Sequence, residues 1–259
     1  MPYDRDLLLL GEKRNAVLDL REIQQYGLDC FGDADYVSIY GLTPDEWYGK
    51  GIRVLGRTAV ECTRDRLAQA IAADVAIVAA GTEADSLLVI DPFAGSGNTL
   101  YWLLRQLPGA IGLAFEKDEA VFRLTSTNLA LLDQPLRMLE LDFEDGIESA
   151  VAAPGQPVVA FIAPPWGRAL DPESGLDLSR TEPPVAAIVD RLDSRFRPAR
   201  LLCVVQVHER MKPGPLAQLA QRFDWSRTKT YDFNRPGQNH GILIGSKRWG
   251  PPPARAARN

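Results

Sequence analysis

The sequence predicts an α/β protein built on one mainly parallel β-sheet with helices on both faces. Two observations lead to this prediction. From residue 85 onward, short apolar runs alternate with amphipathic stretches, and the last two runs have only a turn between them. Such alternation is typical of a parallel sheet covered by helices, whereas two strands joined by a turn form an antiparallel hairpin. The 259 residues suffice for one such domain with a modest additional segment.

Seven strands are predicted, each from a short run of aliphatic and aromatic residues. They cover residues 87–91, 110–116, 136–141, 158–163, 201–207, 226–233 and 239–246. Helices are predicted over residues 98–107, 118–132, 183–193 and 214–222. The turn Asn234-Arg235-Pro236-Gly237-Gln238 joins the last two strands. A parallel sheet closed by an antiparallel hairpin is the seven-stranded, Rossmann-like layout of methyltransferases.

The first part of the chain differs in character and predicts a small, mainly helical N-terminal cap. The spacing of Leu18, Leu20 and Ile23 fits an early helix. Thr43 is placed to cap a helix that begins with Pro44, and Thr63 precedes another helix. The predicted division is residues 1–82 for the cap, 83–250 for the sheet domain and 251–259, rich in Pro, Ala and Arg, for a disordered tail.

Composition restricts the classes of function. The net charge of −5 is mildly unfavourable to nucleic-acid binding. Residues 191–259 nevertheless hold 14 Lys and Arg against 4 Asp and Glu, so the two ends of the chain differ in charge. This asymmetry fits either an anion-facing surface or simple neutralisation within one domain.

Targeting and metal signals are weak. The three cysteines are far apart and form no Cys-x-x-Cys pair, and the chain has only two histidines. We therefore expect no metal site. With no apolar stretch of the roughly 20 residues that a membrane span needs, we expect no membrane association and a cytoplasmic location. The sequence predicts no particular oligomeric state.

The most informative segment is the glycine-rich turn of residues 91–100, which connects the first predicted strand to a helix. Gly95 and Gly97 let bare backbone approach a nucleotide-like ligand, and Asn98 is placed to cap the helix. Asp91 ends the strand, and an acidic group there suits the ammonium and sulfonium of S-adenosylmethionine better than a pyrophosphate. The third glycine of a dinucleotide fingerprint is missing, because position 100 is Leu.

Two more acidic residues follow the next two predicted strands. Glu116 is placed to accept hydrogen bonds from a ribose diol, and Asp142 to meet an adenine amine with Phe143 against the ring. Each carboxylate alone is equally compatible with a helix cap. The predicted cofactor-binding residues in these turns are Asp91, Phe93, Ala94, Gly95, Gly97, Asn98, Thr99, Glu116, Lys117, Asp142 and Phe143.

A second turn, of Ala163, Pro164, Pro165 and Trp166, follows the fourth predicted strand. The prolines fix the backbone and withhold N–H groups, so that the carbonyls of Ile162, Ala163 and Pro164 are expected to be free to accept protons from an amine. The tryptophan offers a face for a planar base. The alternative is a rigid corner with a core tryptophan. The polar stretch of residues 168–184 is expected to be a mobile loop that closes over a substrate.

These motifs resemble trimethylguanosine synthase and its relatives, which methylate the exocyclic amine of a 7-methylguanosine cap. The resemblance covers roughly residues 58–210 and is carried by residues 91–99, 164–167, 176–178 and 62–68. It implies that Thr63 lies near the cofactor and that Trp166 stacks on the base to be methylated. The chain departs from the family's pattern at Ala163, where the family has a polar side chain.

The expected function is therefore S-adenosylmethionine-dependent methyl transfer to a nitrogen of a planar base, with a guanosine of RNA among the candidates. A small aromatic metabolite is an alternative acceptor, and a non-catalytic S-adenosylmethionine-binding protein is an alternative of another class. A nicotinamide enzyme is the least favoured.

Several other residues have two interpretations. Trp47 and Tyr48 could clamp a substrate or pack in an amphipathic helix. His208, after the fifth predicted strand, could act as a base, although methyl transfer to an amine needs none. Three arginines could meet phosphates or cover a helix-to-strand corner, namely Arg195, Arg197 and Arg200.

Overall fold

A seven-stranded mixed sheet forms the centre of the protein. The structure, a computed structural model, describes residues 3–80, 87–132, 134–171, 173–233 and 239–250. The expected domain boundary at residues 82 and 83, the turn of residues 234–238 and the expected tail lie outside the described residues.

The strands match the seven predicted ones to within about two residues at each end. They are β1 (Leu88–Asp91), β2 (Ile111–Glu116), β3 (Leu136–Glu140), β4 (Val158–Ile162), β7 (Leu201–His208), β8 (Trp225–Tyr231) and β9 (His240–Lys247). A separate two-stranded hairpin consists of β5 (Leu170–Asp171) and β6 (Gly175–Leu176).

The order across the large sheet is β3-β2-β1-β4-β7-β9-β8. The first five strands in this order run parallel, and β9 is antiparallel to both β7 and β8. The order reverses at β1, which has β2 on one side and β4 on the other. In an open α/β sheet, ligands bind beyond the carboxyl ends of the strands at such a switch point.

Ten α-helices lie within the described residues. Five precede the sheet: α1 (Arg5–Leu9), α2 (Leu20–Phe31), α3 (Pro44–Gly49), α4 (Gly56–Glu61) and α5 (Asp65–Ala79). The others are α6 (Asn98–Gln106), α7 (Glu119–Ala130), α8 (Phe143–Ser149), α9 (Val185–Arg195) and α10 (Pro213–Ala220). The predicted helices are all present; α1, α4 and α8 are too short to show a clear period and were not predicted.

Side chains of the central strands point alternately to the two faces of the sheet, and both faces are buried. On β1, Val89 joins a core with α5 and α6, whereas Ile90 joins a core with α8 and α9. Each residue of β1, β4 and β7 is buried, as expected for strands covered by helices on both faces.

The N-terminal segment, residues 3–61, contributes a third core that includes the fully buried Trp47. This core also contains Tyr101 of α6 and Leu129 of α7. The segment therefore packs directly on the two helices that flank the glycine-rich turn.

The expected mobile loop after the fourth main strand is instead packed on the sheet. Leu176 and Leu178 are buried in the core shared with β4 and β7. The backbone N–H of Leu176 donates to the carbonyl of Arg210 (2.9 Å), and that of Lys212 donates to the carbonyl of Leu176 (2.9 Å). In the packed position the leucine side chains are buried and the backbone groups are hydrogen-bonded. Moving the loop would expose both to solvent, which is unfavourable.

Candidate active site

The two predicted turns meet at one edge of the sheet. Parallel pairing brings Asp91 beside Ala114 of β2, and it aligns the carboxyl ends of β1, β4 and β7. Antiparallel pairing then places His240, the first residue of β9, opposite His208, the last residue of β7. Residues far apart in sequence thus share the edge at which α/β sheets bind ligands.

The glycine-rich turn bends sharply between β1 and α6. Gly95 and Gly97 have φ of +50° and +69°, values that side chains disfavour. A Cβ atom at Gly95 would meet no atom within 4 Å, so the space above this backbone is open. The turn is held by hydrogen bonds from Ala94 N to the Phe115 carbonyl (3.0 Å) and from Gly97 N to the Ala94 carbonyl (2.6 Å).

Asp91 is a buried carboxyl group with no cation beside it among the described residues. Only 2% of the residue is exposed, and its Oδ1 accepts a hydrogen bond from Phe93 N (3.0 Å). The pKa of Asp91 is raised to about 7, mainly by burial; the hydrogen bond from Phe93 N lowers it in part, and the nearby Glu116 adds to the rise. A positively charged ligand would stabilise the ionised form of this group.

Glu116 is fixed at the end of β2 and faces the same turn. Its Oε2 accepts a hydrogen bond from Gly95 N (3.1 Å), and its Oε1 accepts one from Asp118 N (2.9 Å). A carboxylate has about four acceptor positions. Glu116 therefore keeps the capacity to accept from a diol while it holds the turn in place.

Asn98 has a role different from the expected helix cap. Gly97, in the left-handed conformation, occupies the N-cap position of α6, and no side chain caps that helix. The Asn98 amide instead accepts from Tyr40 N (2.7 Å) and donates to the Thr63 carbonyl (2.7 Å) and to Asp65 (3.1 Å). With its amide committed in this way, Asn98 attaches the turn to the N-terminal part of the chain.

Tyr40 and Asp65 complete this attachment, and neither was predicted as a site residue. The Tyr40 hydroxyl donates to the carbonyl of Ser96, inside the turn. The Asp65 carboxylate also accepts from Trp102 Nε1 (2.6 Å) and Gly41 N (2.9 Å). Burial raises the pKa of Asp65, while the hydrogen bonds from Trp102 and Asn98 oppose the rise. No local pattern signals such long-range pairing.

Asp142 forms the N-cap of α8, which is the alternative interpretation of this residue. Its Oδ1 accepts from Glu144 N (2.7 Å) and Asp145 N (3.3 Å). Phe143 stacks on Phe93, with ring centroids 5.4 Å apart and planes inclined at 26°. The two rings join the end of β3 to the glycine-rich turn and leave a partly buried apolar surface there. Thr99 is buried in the first turn of α6, and Lys117 is exposed.

The proline turn lies beside the glycine-rich turn, at the end of β4. Pro164 is buried, Ala163 and Trp166 are partly buried, and Pro165 is exposed. Among the described residues, no donor is hydrogen-bonded to the carbonyls of Ala163 and Pro164. These two carbonyls are therefore available to a ligand, as the two prolines predict.

Trp166 faces the two histidines of the chain. Its ring centroid lies 5.0 Å from that of His240 and 6.0 Å from that of His208. Gln206 Nε2 lies 2.9 Å from His240 Nδ1, and Gln206 Oε1 accepts from the Thr63 hydroxyl (3.0 Å). Thr63, expected near the cofactor, thus contacts the residues behind Trp166. His240 and Gln206 were missed because only the register of β9 on β7 brings them here.

The other ambiguous groups have structural roles. Trp47 is fully buried, and its Nε1 donates to the Val37 carbonyl (3.0 Å), so it packs in the N-terminal core. Arg195 donates to the Glu148 carbonyl (3.1 Å), and Arg197 pairs with Asp193 (2.9 Å), as expected for a covered corner.

Within the described ranges, no group of three or more His, Cys, Asp or Glu side chains is placed to hold a metal ion. The helices of the same residues include none that is long and apolar enough to cross a membrane.

The edge fits S-adenosylmethionine in its chemistry. Asp91 offers a buried carboxylate for a cation, Glu116 offers acceptors for a diol, and the open backbone at Gly95 leaves room between them. The Phe93–Phe143 surface suits an aromatic ring.

Solved structures share this fold. A Listeria monocytogenes protein assigned to the class I S-adenosylmethionine-dependent methyltransferases matches with a TM-score of 0.55 and 17% identity, over 74% of this chain and 63% of that chain. The chain thus spans less than two thirds of that protein. The METTL16 methyltransferase domain matches with a TM-score of 0.49 and 17% identity, over 72% of this chain and 70% of that chain. A Geobacter metallireducens precorrin-6y C5,15-methyltransferase matches with a TM-score of 0.47 and 12% identity, over 72% of this chain and 90% of that chain.

No protein-family model matches the chain, and no curated protein matches its sequence. The sheet order and the Listeria match define the fold as the Rossmann-like fold of class I S-adenosylmethionine-dependent methyltransferases.

Proposed function

We propose that the protein is an S-adenosylmethionine-dependent methyltransferase that acts on a nitrogen of a planar base. The observation that carries this proposal is the buried, cation-free Asp91 beside the open glycine-rich turn and Glu116, at the switch point of a class I methyltransferase sheet. A nicotinamide dinucleotide would bring a pyrophosphate to these two carboxylates, which repel it.

In this proposal the cofactor lies along the turn after β1. Asp91 binds the ammonium, Glu116 the ribose hydroxyls, and Asp142 with Phe143 the adenine. Gly95 and Gly97 admit the ligand to the backbone, and the surrounding residues Phe93, Ala94, Asn98, Thr99 and Lys117 shape or support the turn. Thr63 borders the site from the N-terminal side, where it is bonded to Gln206.

When bound, the cofactor supplies an activated methyl group. The chain's own contribution is to position the acceptor. Trp166 stacks on the planar ring, and the carbonyls of Ala163 and Pro164 accept hydrogen bonds from the amine protons. Acceptance of those protons keeps the nitrogen lone pair aimed at the methyl group, and alignment of this kind lowers the barrier without covalent catalysis.

We propose a guanosine of RNA as one acceptor, on the resemblance to trimethylguanosine synthase. A small aromatic metabolite is the second candidate, and the acidic composition favours it. We also propose that residues 1–82 form a cap beside the site, that residues 83–250 form the catalytic domain with 251–259 as a tail, and that the protein acts in the cytoplasm.

The test is incubation of the full chain with methyl-labelled S-adenosylmethionine, cellular RNA and a low-molecular-weight cell extract. Label in RNA supports the RNA acceptor, and its binding should weaken steeply as salt rises. Label only in small molecules supports a metabolite, whose binding should depend little on salt. Cofactor binding with label in neither pool contradicts the proposed activity and supports a binding protein without turnover.

A further inference from the structure

Three rings surround one side of the acceptor turn. Trp166 follows β4, His208 ends β7, and His240 begins β9. The two imidazole centroids lie 5.9 Å apart, and each lies within 6.0 Å of the Trp166 ring. His208 is 7% exposed, and His240 is partly buried. The three rings therefore form one partly enclosed surface beside the open carbonyls of Ala163 and Pro164.

Hydrogen bonds determine which nitrogen of each histidine carries the proton. The backbone N–H of Arg210 donates to His208 Nδ1 (3.1 Å), and a nitrogen that accepts a bond cannot carry a proton. Gln206 Nε2 donates to His240 Nδ1 (2.9 Å), because Gln206 Oε1 already accepts from Thr63. In both histidines Nε2 is consequently a nitrogen that carries a proton.

His240 remains uncharged at neutral pH. Its pKa is lowered to about 3, mainly by burial, with smaller contributions from Arg64, His208 and Arg5. This matters because a charged imidazole would repel the cationic cofactor. A neutral N–H group can bind a substrate without that repulsion.

We propose that Nε2–H of His208 and Nε2–H of His240 donate hydrogen bonds to the edge of the acceptor ring stacked on Trp166. This inference rests on the proposed methyltransferase function. Among the described residues, neither Nε2 has a hydrogen-bond partner. The preferred acceptor is therefore a heteroaromatic amine with a ring carbonyl or ring nitrogen near the amine. An aromatic amine without such a group would leave both donors unpaired, which costs binding free energy.

The first test compares two sets of acceptors with the full chain and methyl-labelled S-adenosylmethionine. Guanosine, adenosine and cytidine, free and in RNA, have ring acceptors beside the amine; aniline and 1-aminonaphthalene do not. We expect kcat/KM for the best nucleoside to be at least about tenfold above that of either ring-only amine. Equal values overturn this inference but leave the methyltransferase function standing. If methyl label is transferred neither to these amines nor to any acceptor in the cell extract, both this inference and the methyltransferase function are overturned.

The second test removes the donors while keeping a ring. His240→Phe and His208→Phe should each raise the nucleoside KM about tenfold, with the S-adenosylhomocysteine Kd unchanged within about twofold. His240→Gln, which keeps an N–H donor, should recover part of the loss. An unchanged KM, or an equal loss of S-adenosylhomocysteine binding, overturns the inference.

A third measurement does not depend on the variants folding. Nitrogen-15 NMR of the wild-type imidazoles at pH 7.5 should show the Nε2–H tautomer for both histidines. A proton on Nδ1 of either histidine overturns the inference.

Discussion

The turn after β1 and the turn after β4 lie at the same sheet edge but present opposite chemistry. The first carries two carboxylates, Asp91 and Glu116, and Asp91 is buried without a cation among the described residues. The second carries two open carbonyls and three rings, with His240 held neutral by burial. The first turn can thus attract a ligand through charge, whereas the second can mainly orient one through stacking and hydrogen bonds.

This difference indicates that the two turns have separate roles, which substitutions at each turn can test. Changes at the first turn should alter cofactor affinity and its dependence on pH. Changes at the second should alter the use of the acceptor and spare the cofactor.

Asp91→Asn should weaken S-adenosylhomocysteine binding about a hundredfold, because it removes a charged, desolvated hydrogen-bond acceptor. The same change should raise the free energy of unfolding at pH 8, since it removes a buried carboxylate that has no cationic partner. Calorimetric titration and thermal unfolding measure the two effects. Asp74→Asn is the matched control: Asp74 is also buried but is paired with Lys229 (2.6 Å), so this variant should lose stability and keep affinity. Unchanged affinity in Asp91→Asn contradicts the role of Asp91.

Trp166→Ala should raise the acceptor KM about thirtyfold through lost stacking, with cofactor affinity unchanged. Steady-state kinetics with the acceptor found by methyl labelling, together with calorimetry, separate these quantities. Trp166→Phe retains a ring and should recover much of the loss. A comparable decrease in cofactor affinity would show that the two turns do not divide the work.

The S-adenosylhomocysteine Kd should rise about tenfold from pH 8 to pH 6 if the ligand binds only the ionised form of Asp91. The sign follows from the pKa of Asp91, about 7: lowering the pH protonates this carboxyl group in the free protein, and the neutral form loses its attraction for the ligand ammonium. The Asp91→Asn variant has no such group, and its Kd should be nearly flat over this range. A wild-type Kd independent of pH would mean that another group binds the ammonium.

Tyr40→Phe should have the smallest effect. The change removes the hydroxyl that donates to Ser96 and should lower the free energy of unfolding by about 1 kcal/mol. Cofactor affinity should fall about threefold, because the turn is held less firmly. Tyr3→Phe is the control, since its hydroxyl donates to Glu22, away from the turn (2.6 Å). If both variants bind cofactor alike, Tyr40 supports the fold but not the turn.

The sheet and its two turns were predictable because each has a local signal. Apolar runs marked the strands, and the residues that ended those runs, such as Asp91 and Ala163, necessarily lie at the sheet edge. The fold prediction is confirmed, while the assignment of individual residues to cofactor and acceptor stays a prediction.

What the sequence did not reveal depends on pairing between distant segments. Asn98 has the composition of a cap, but its partner Tyr40 lies 58 residues away. His240 lies at the start of a predicted strand, but only the antiparallel register of that strand on β7 places it opposite His208. The loop after β4 looked mobile because its sequence is polar, yet a few leucines suffice to pack it.

The attachment of Asn98 to Tyr40 and Asp65 has a consequence for how the chain acquires its shape. The glycine-rich turn cannot reach its final geometry by local collapse, because its bonds to residues 40, 63 and 65 close loops of some 30 to 60 residues. Closing loops of this length costs more chain entropy than forming local contacts, and contacts between distant segments slow folding. During synthesis the N-terminal segment emerges before the glycine-rich turn, so the hydrogen bonds between them can form only after the turn has been made. We therefore expect the ligand-binding edge to be completed late in folding, together with the docking of the N-terminal segment.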